Sequence, residues 1–378
     1  MTSALGGYGD WARERLDDPR PLSFRHERWE DVDAWRGRAR EQTLTCLAPP
    51  ETGDAPNVTV HEAHDVDGIR VERQSWQLPY GPRTGAFLLR PTDESGPLPG
   101  VLAFHDHGGD KYHGKGKIVR APSTETEMLT AYRETGYDGH AWANRLAKRG
   151  YAVLVPDGFT FGSRRFDPAE TVGTEGVPNP ASDTEKRDVS AYNDWANGYE
   201  STAAKACLCA GTTLPGVALA DDKAALDVLC SHPAVDDSRV GVAGHSGGGL
   251  RTAYLGALDE RVRCAVVVCM LTTWRDFVDF GATRHTWLVY PSLLARHLDY
   301  PDVLAMRAPA ATSVLARVDD RLFSRDAIET AAERLEAAFT KAGGADTLAL
   351  RTYPGDHGFG DEMQRDAFAR FDAVLRDT

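Results

Sequence analysis

The chain has 378 residues, 42% hydrophobic and 26% charged, enough to bury a large core and compatible with one to three domains. Fifty-six acidic against 43 basic residues leave a formal charge of −13, which argues against nucleic acid or an anionic membrane surface as partner. The longest apolar run, Cys264 to Leu271, falls far short of the ~20 residues of a membrane helix, and the N-terminal stretch lacks a secretory pattern, so a cytoplasmic protein is expected.

In chain order, residues 1–68 are charged, rich in Trp and Arg, and turn-forming around Pro49 to Pro56. They read as an extension packed on a main domain of residues 69–378. From Gly68 onward, short β-branched or apolar runs alternate with helical segments, the pattern of an α/β sheet. Eight strands are predicted: Ile69–Leu78, Gly85–Arg90, Gly100–Phe104, Ala152–Pro156, Val240–Ala243, Cys264–Met270, Thr312–Ala316 and Thr347–Tyr353. Helical periods cover Leu219–Cys230, Leu250–Leu258 and Ala327–Lys341, the last ended by Gly343-Gly344, and Phe368, Phe371 and Leu375 stripe a C-terminal helix. Two aromatic-rich insertions, about 158–217 and 272–308, interrupt the alternation. Insertions of this length commonly form lids or pocket walls, which makes Phe161 in the first and Trp274 in the second candidate substrate contacts. The six cysteines are too sparse for a disulfide framework, and Cys207-Leu-Cys209 has the wrong spacing for a zinc knuckle, so buried free thiols are expected.

The strongest local signal is Gly244-His245-Ser246-Gly247-Gly248, which follows the strand Arg239–Ala243 and precedes a helix. A serine on such a strand-turn-helix projects its hydroxyl above the sheet as a nucleophile elbow, and the crowded backbone requires small neighbours. The hydroxyl needs a base, and the base needs a carboxylate to fix its tautomer. His285, His297 and His357 lie downstream of Ser246; the first two sit inside the second insertion, whereas His357 follows the last strand in a turn. The acid is expected after the preceding strand, where Asp319 and Asp320 are adjacent. Asp320 is preferred because the residues behind it lead into the next helix; Asp356 reads as a turn former. Gly247 supplies one oxyanion N–H, and His107 or Gly108, after the strand ending at Phe104, supplies the other. His105, His107 and Asp110 offer a rival reading as a hydrolytic metal site, but the aspartate is one place late and Lys111 stands where a histidine would follow.

With these elements in order, the chain resembles the α/β-hydrolase superfamily, and within it the dienelactone-hydrolase and acetyl-xylan-esterase-like branch. The resemblance rests on Gly150 to Arg164, on Asp221 to Leu229, and on Pro233 through Gly249, and it covers about residues 69–378. It implies a mostly parallel eight-stranded sheet flanked by helices, and a serine esterase without metal or other cofactor. Two positions depart from the pattern: Asp106 follows His105 where glycine is usual, and Arg317 stands where a glycine usually precedes the acid.

One further feature comes from this sequence itself. Of its eight lysines, Lys111, Lys115 and Lys117 fall with Arg120 directly after the oxyanion segment. This loop is expected to border the pocket and receive an anionic group, the competing reading being a solvated surface loop. The expected function is therefore hydrolysis of a small-molecule carboxylic ester by Ser246, His357 and Asp320. Acyl transfer, cyclisation or elimination by the same triad, a metal-dependent hydrolase and a non-catalytic binding module are the alternatives. Acyl group, alcohol group and oligomeric state stay open.

Overall fold

The computed structural model describes residues 3–93 and 96–376. Among them runs a nine-stranded sheet in the order β1-β2-β3-β5-β4-β6-β7-β8-β9. The strands are β1 (Thr59–Val66), β2 (Ile69–Trp76), β3 (Thr84–Pro91), β4 (Leu98–Phe104), β5 (Ala152–Pro156), β6 (Val235–His245), β7 (Val262–Val268), β8 (Ala311–Arg317) and β9 (Leu348–Tyr353). From β5 through β9 all neighbours are parallel, and β1, β2 and β3 add antiparallel pairs at one edge.

The eight predicted strands are all present, and the ninth, β1, lies inside the segment read as an extension. Val66 pairs with Ile69 across Asp67 and Gly68, which both have positive φ, as a two-residue hairpin turn requires. An Asp-Gly pair is a hairpin signal. It was obscured because β1 is half-buried at most and shows no apolar alternation.

Parallel strands bury both faces, and the alternating side chains divide into two cores. Leu102, Phe104, Val240 and Val242 join one, while Val101, Ala103, Ala243 and Val266 join the other. On the first face lies the Leu214–Cys230 helix, which begins before the predicted Leu219 because Thr213 caps it, its hydroxyl accepting from Gly216 N at 3.0 Å. Phe24, Trp35, Ala39 and Leu47 of the N-terminal segment belong to the same core. Trp142, Phe359, Phe368 and Phe371 fill the opposite one. The first insertion holds a 24-residue helix, Lys186–Cys209, which its periodicity had not disclosed. No single helix among the described residues is long and apolar enough to cross a membrane.

Candidate active site

Ser246 sits between β6 and the Gly247–Leu258 helix at φ 57°, ψ −117°. A non-glycine residue holds this conformation only when its surroundings impose it. Here a Cβ on Gly248 would lie 2.5 Å from the Phe104 carbonyl oxygen, so the turn closes against β4 only with glycine at that position. Backbone bonds fix the rest: Ser246 N–H donates to Val268 O at 2.8 Å, and Leu250 N–H donates to Ser246 O at 3.0 Å.

The loops after β8 and β9 supply the partners. His357 Nδ1 donates to Asp320 Oδ2 at 2.7 Å, and Asp320 Oδ1 accepts from Leu322 N at 2.9 Å. Asp320 is the buried member of the adjacent pair; Asp319 faces solvent, where it meets Arg325 and Gly355 N. Asp356 binds its own turn, accepting from His357 N and Arg321 N. Arg317, standing where glycine is usual, reaches along this turn. Its guanidinium donates to the carbonyls of Gly358 and Pro354, on either side of His357.

The His245 and His357 rings lie 4.7 Å apart between centroids, so the histidine turn covers the elbow. Among the described residues His357 Nε2 has no hydrogen-bond partner, Ser246 included. Catalytic hydrogen bonds of this kind often close only around a substrate.

His107 N lies 3.1 Å from where a Cβ on Gly247 would stand, so the two proposed oxyanion donors sit side by side. The His107 N–H has no acceptor among the described residues. His107 Nδ1 accepts from Gly109 N at 3.1 Å, which leaves Nε2 to donate to Glu200 Oε1 at 3.2 Å. Burial, reinforced by Lys111, lowers the His107 pKa. Glu200 was not singled out in the sequence. Both insertions meet there: it is carried by the first, also receives Lys111 Nζ at 2.7 Å, and accepts from Thr286 Oγ1 and Trp287 N of the second at 2.7 and 2.9 Å. Burial alone would raise its pKa, but His107 and Lys111 outweigh burial and hold it well below the usual carboxylate range.

The expected basic patch is not displayed. Lys111 is 1% exposed, with Glu200 and Thr160 as partners. Lys115 pairs with Asp157 at 2.5 Å, and Lys117 donates to the carbonyls of Asp106 and His107 at 3.1 and 2.8 Å. An ammonium that leaves water needs such partners, and these three have found theirs inside the protein. Arg120 alone of the group faces solvent, beside Glu125. Phe161 packs edge-on to the rings of His105 and His107 at 5.1 and 5.2 Å, backing the loop that follows β4. Trp274 lies elsewhere, its ring tilted against Tyr300 at 4.4 Å and its Nε1 donating to Leu298 O, beside an apolar cavity under the N-terminal segment.

The rival metal site does not assemble. His105 Nδ1 donates to Asp106 O and its Nε2 accepts from Gly158 N, while Asp110 is engaged by His113 and Asn193. Among the described residues the group with metal-ligand spacing is His245, Cys269 and His357, whose ligand atoms lie within 4.8 Å of one another. It shares His357 with the Asp320 pair, and burial pushes the Cys269 thiol up to about 12, where it keeps its proton. A cavity of about 510 Å³ opens beside His357, lined also by Asp106, Gly108, Tyr132, Tyr137 and His245.

This sheet order, with a strained turn at Ser246 after β6 and the turns bearing Asp320 and His357 after β8 and β9, is that of the α/β-hydrolase fold. The chain is 26% identical over 262 residues to the Bacillus subtilis (strain 168) protein named Putative hydrolase YtaP, covering 69% of this chain and 73% of that one. Among solved structures, a putative acetyl xylan esterase from Bacteroides fragilis matches with a TM-score of 0.66 at 17% identity, over 92% of this chain and 82% of its own. A glucuronoyl esterase from Solibacter usitatus matches with a TM-score of 0.62 at 14% identity, over 94% and 97%. At these identities the likeness is one of fold. No family model matches the chain.

Proposed function

We propose that this protein is a serine hydrolase that cleaves a carboxylic ester of a small molecule through an acyl-enzyme. The observation that carries the reading is the 2.7 Å bond from His357 Nδ1 to Asp320, made beside a serine strained at φ 57°. Asp320 holds the Nδ1–H tautomer, so Nε2 can accept the Ser246 proton as Oγ attacks the ester carbonyl. Gly247 N–H and His107 N–H, with Gly108 N–H adjacent, receive the oxyanion. As the tetrahedral adduct collapses, His357 passes its proton to the leaving alkoxide, and a water deprotonated by the same nitrogen then releases the acid. The names of the structural neighbours, acetyl xylan esterase and glucuronoyl esterase, support ester cleavage and suggest acetylated and uronoyl carbohydrates for an ester panel.

Labelling with a fluorophosphonate followed by peptide mass analysis tests the reading. A single adduct on Ser246, absent in Ser246→Ala, is the expected result. Folded wild-type protein that takes no label would overturn it.

A further inference from the structure

The donors of an oxyanion hole are peptide N–H groups, and a peptide's N–H becomes a stronger donor when its own carbonyl oxygen is polarised. The N–H of His107 shares a peptide with the carbonyl of Asp106. The N–H of Gly108 shares one with the carbonyl of His107. Both carbonyls receive hydrogen bonds from a single side chain, Lys117 Nζ, at 3.1 and 2.8 Å.

Lys117 is fully buried, and its ammonium lies 5.1 Å from the ring centroids of both Tyr132 and Phe161. Its nearest carboxylate, Asp106, is 4.0 Å away and is turned toward the hydroxyls of Tyr132 and Tyr137, both of which donate to it. The cation therefore makes its direct hydrogen bonds to the carbonyl sides of two consecutive peptides, the first of which carries the His107 N–H beside Gly247, while the Asp106 carboxylate stands off at 4.0 Å and is held by the two tyrosines. In a water-excluded site such a fixed charge acts on the developing oxyanion with little screening.

We infer that Lys117 is a positioning residue for ester cleavage, polarising and orienting the 106–107 and 107–108 peptides so that their N–H groups stabilise the tetrahedral oxyanion. The inference rests on the serine-hydrolase reading above and assigns to that site a cation that touches neither substrate nor triad. It also gives a role to Asp106, which replaces the usual glycine: its carboxylate makes burial of the ammonium tolerable.

The test is a double-mutant cycle on p-nitrophenyl acetate hydrolysis, with wild type, Lys117→Met, Asp106→Asn and the double variant, each shown to be folded by circular dichroism. Polarisation predicts that Lys117→Met lowers kcat by about 10- to 100-fold, less than the ~10²–10³ for losing an oxyanion donor outright, with KM within about threefold. It predicts the same loss when Lys117→Met is made on the Asp106→Asn background, and a parallel weakening of a boronate transition-state analogue. If Lys117 serves only to neutralise Asp106, the loss disappears on that background, and the inference is overturned. An unchanged kcat in folded Lys117→Met overturns it as well. Should Lys117→Met alone not fold, the double variant, which leaves no unpaired charge, is compared with Asp106→Asn and decides by the same kcat ratio. Ser246→Ala, run alongside, separates the two readings: hydrolysis that survives it removes the serine-hydrolase assignment, whereas serine-dependent hydrolysis indifferent to Lys117 removes only this inference.

Discussion

Asp319 and Asp320 are neighbours in the chain with opposite surroundings, and the difference fixes what each can do. The Asp320 side chain is 1% exposed and bonds to His357, so its loss removes the acceptor that holds the imidazole tautomer. Asp319 is 60% exposed and meets Arg325 at 3.2 Å, a surface pair of the kind that contributes ~0–1 kcal/mol. Asp320→Asn should therefore lower kcat on a p-nitrophenyl ester by about 10⁴-fold with little change in melting temperature, because an amide at that position can donate to Nδ1 and favour the wrong tautomer. Asp319→Asn should stay within about threefold of wild type. Similar losses in both variants would show that the acid had been assigned to the wrong carboxylate.

The Lys186–Cys209 helix matters to the site through one residue, Glu200, which holds His107, Lys111 and the backbone of the second insertion together. Glu200→Gln leaves the Lys111 ammonium buried without its counter-charge, a change that costs about 3–5 kcal/mol when a buried pair is broken from one side. The effect has a defined pH dependence. Glu200 has a folded-state pKa below its ordinary 4.5, so its contribution is fully present above about pH 4.5 and is lost as pH falls through the lower, folded-state value. Denaturant midpoints of wild type and Glu200→Gln should differ by a constant amount from pH 8 to about 5.5 and converge in acid. A gap that persists unchanged into acid would mean that the carboxylate charge is not what stabilises this junction.

This helix also marks where legibility in the sequence ends. Its buried face, Val189, Tyr192, Ala196, Glu200, Ala203 and Ala204, keeps helical spacing, but alanine, tyrosine and an acid give little apolar contrast. Strands β2 to β9 and the Arg325–Lys341 helix were legible because their buried positions are aliphatic or aromatic and recur at the right period. The strained turn at Ser246 and the pairing of His357 with Asp320 were legible because each is tied to a local strand-turn signal. Glu200 was not, since its partners stand 86 to 93 residues away and pairing at that range leaves no trace in spacing. For the same reason the lysines at 111, 115 and 117 read as an exposed basic loop when each is anchored inward by the fold.

At the scale of the molecule, the question is whether the N-terminal segment is an accessory or part of the folding unit. Phe24, Trp35 and Leu47 are at most 1% exposed and belong to the core on one face of the sheet, where the Val32–Leu47 helix packs against the Leu214–Cys230 helix. At about 1.5–3 kcal/mol per large buried side chain, these three alone contribute about 5–9 kcal/mol, comparable with the whole ~5–15 kcal/mol stability of a domain. Polar groups are shared as well. Thr213, which caps the Leu214–Cys230 helix, also donates to Leu47 O at 2.6 Å, and Ser23 donates to the buried Asp302 at 2.5 Å. Removing the segment would thus uncover an apolar face and leave a buried carboxyl and a helix cap short of partners. A chain beginning at residue 49 should accumulate as insoluble protein, or, if soluble, lack a cooperative thermal transition and take no fluorophosphonate label. A soluble 49–378 chain that unfolds cooperatively and labels at Ser246 would instead show that the catalytic unit is complete without it. The burial arithmetic favours the first outcome.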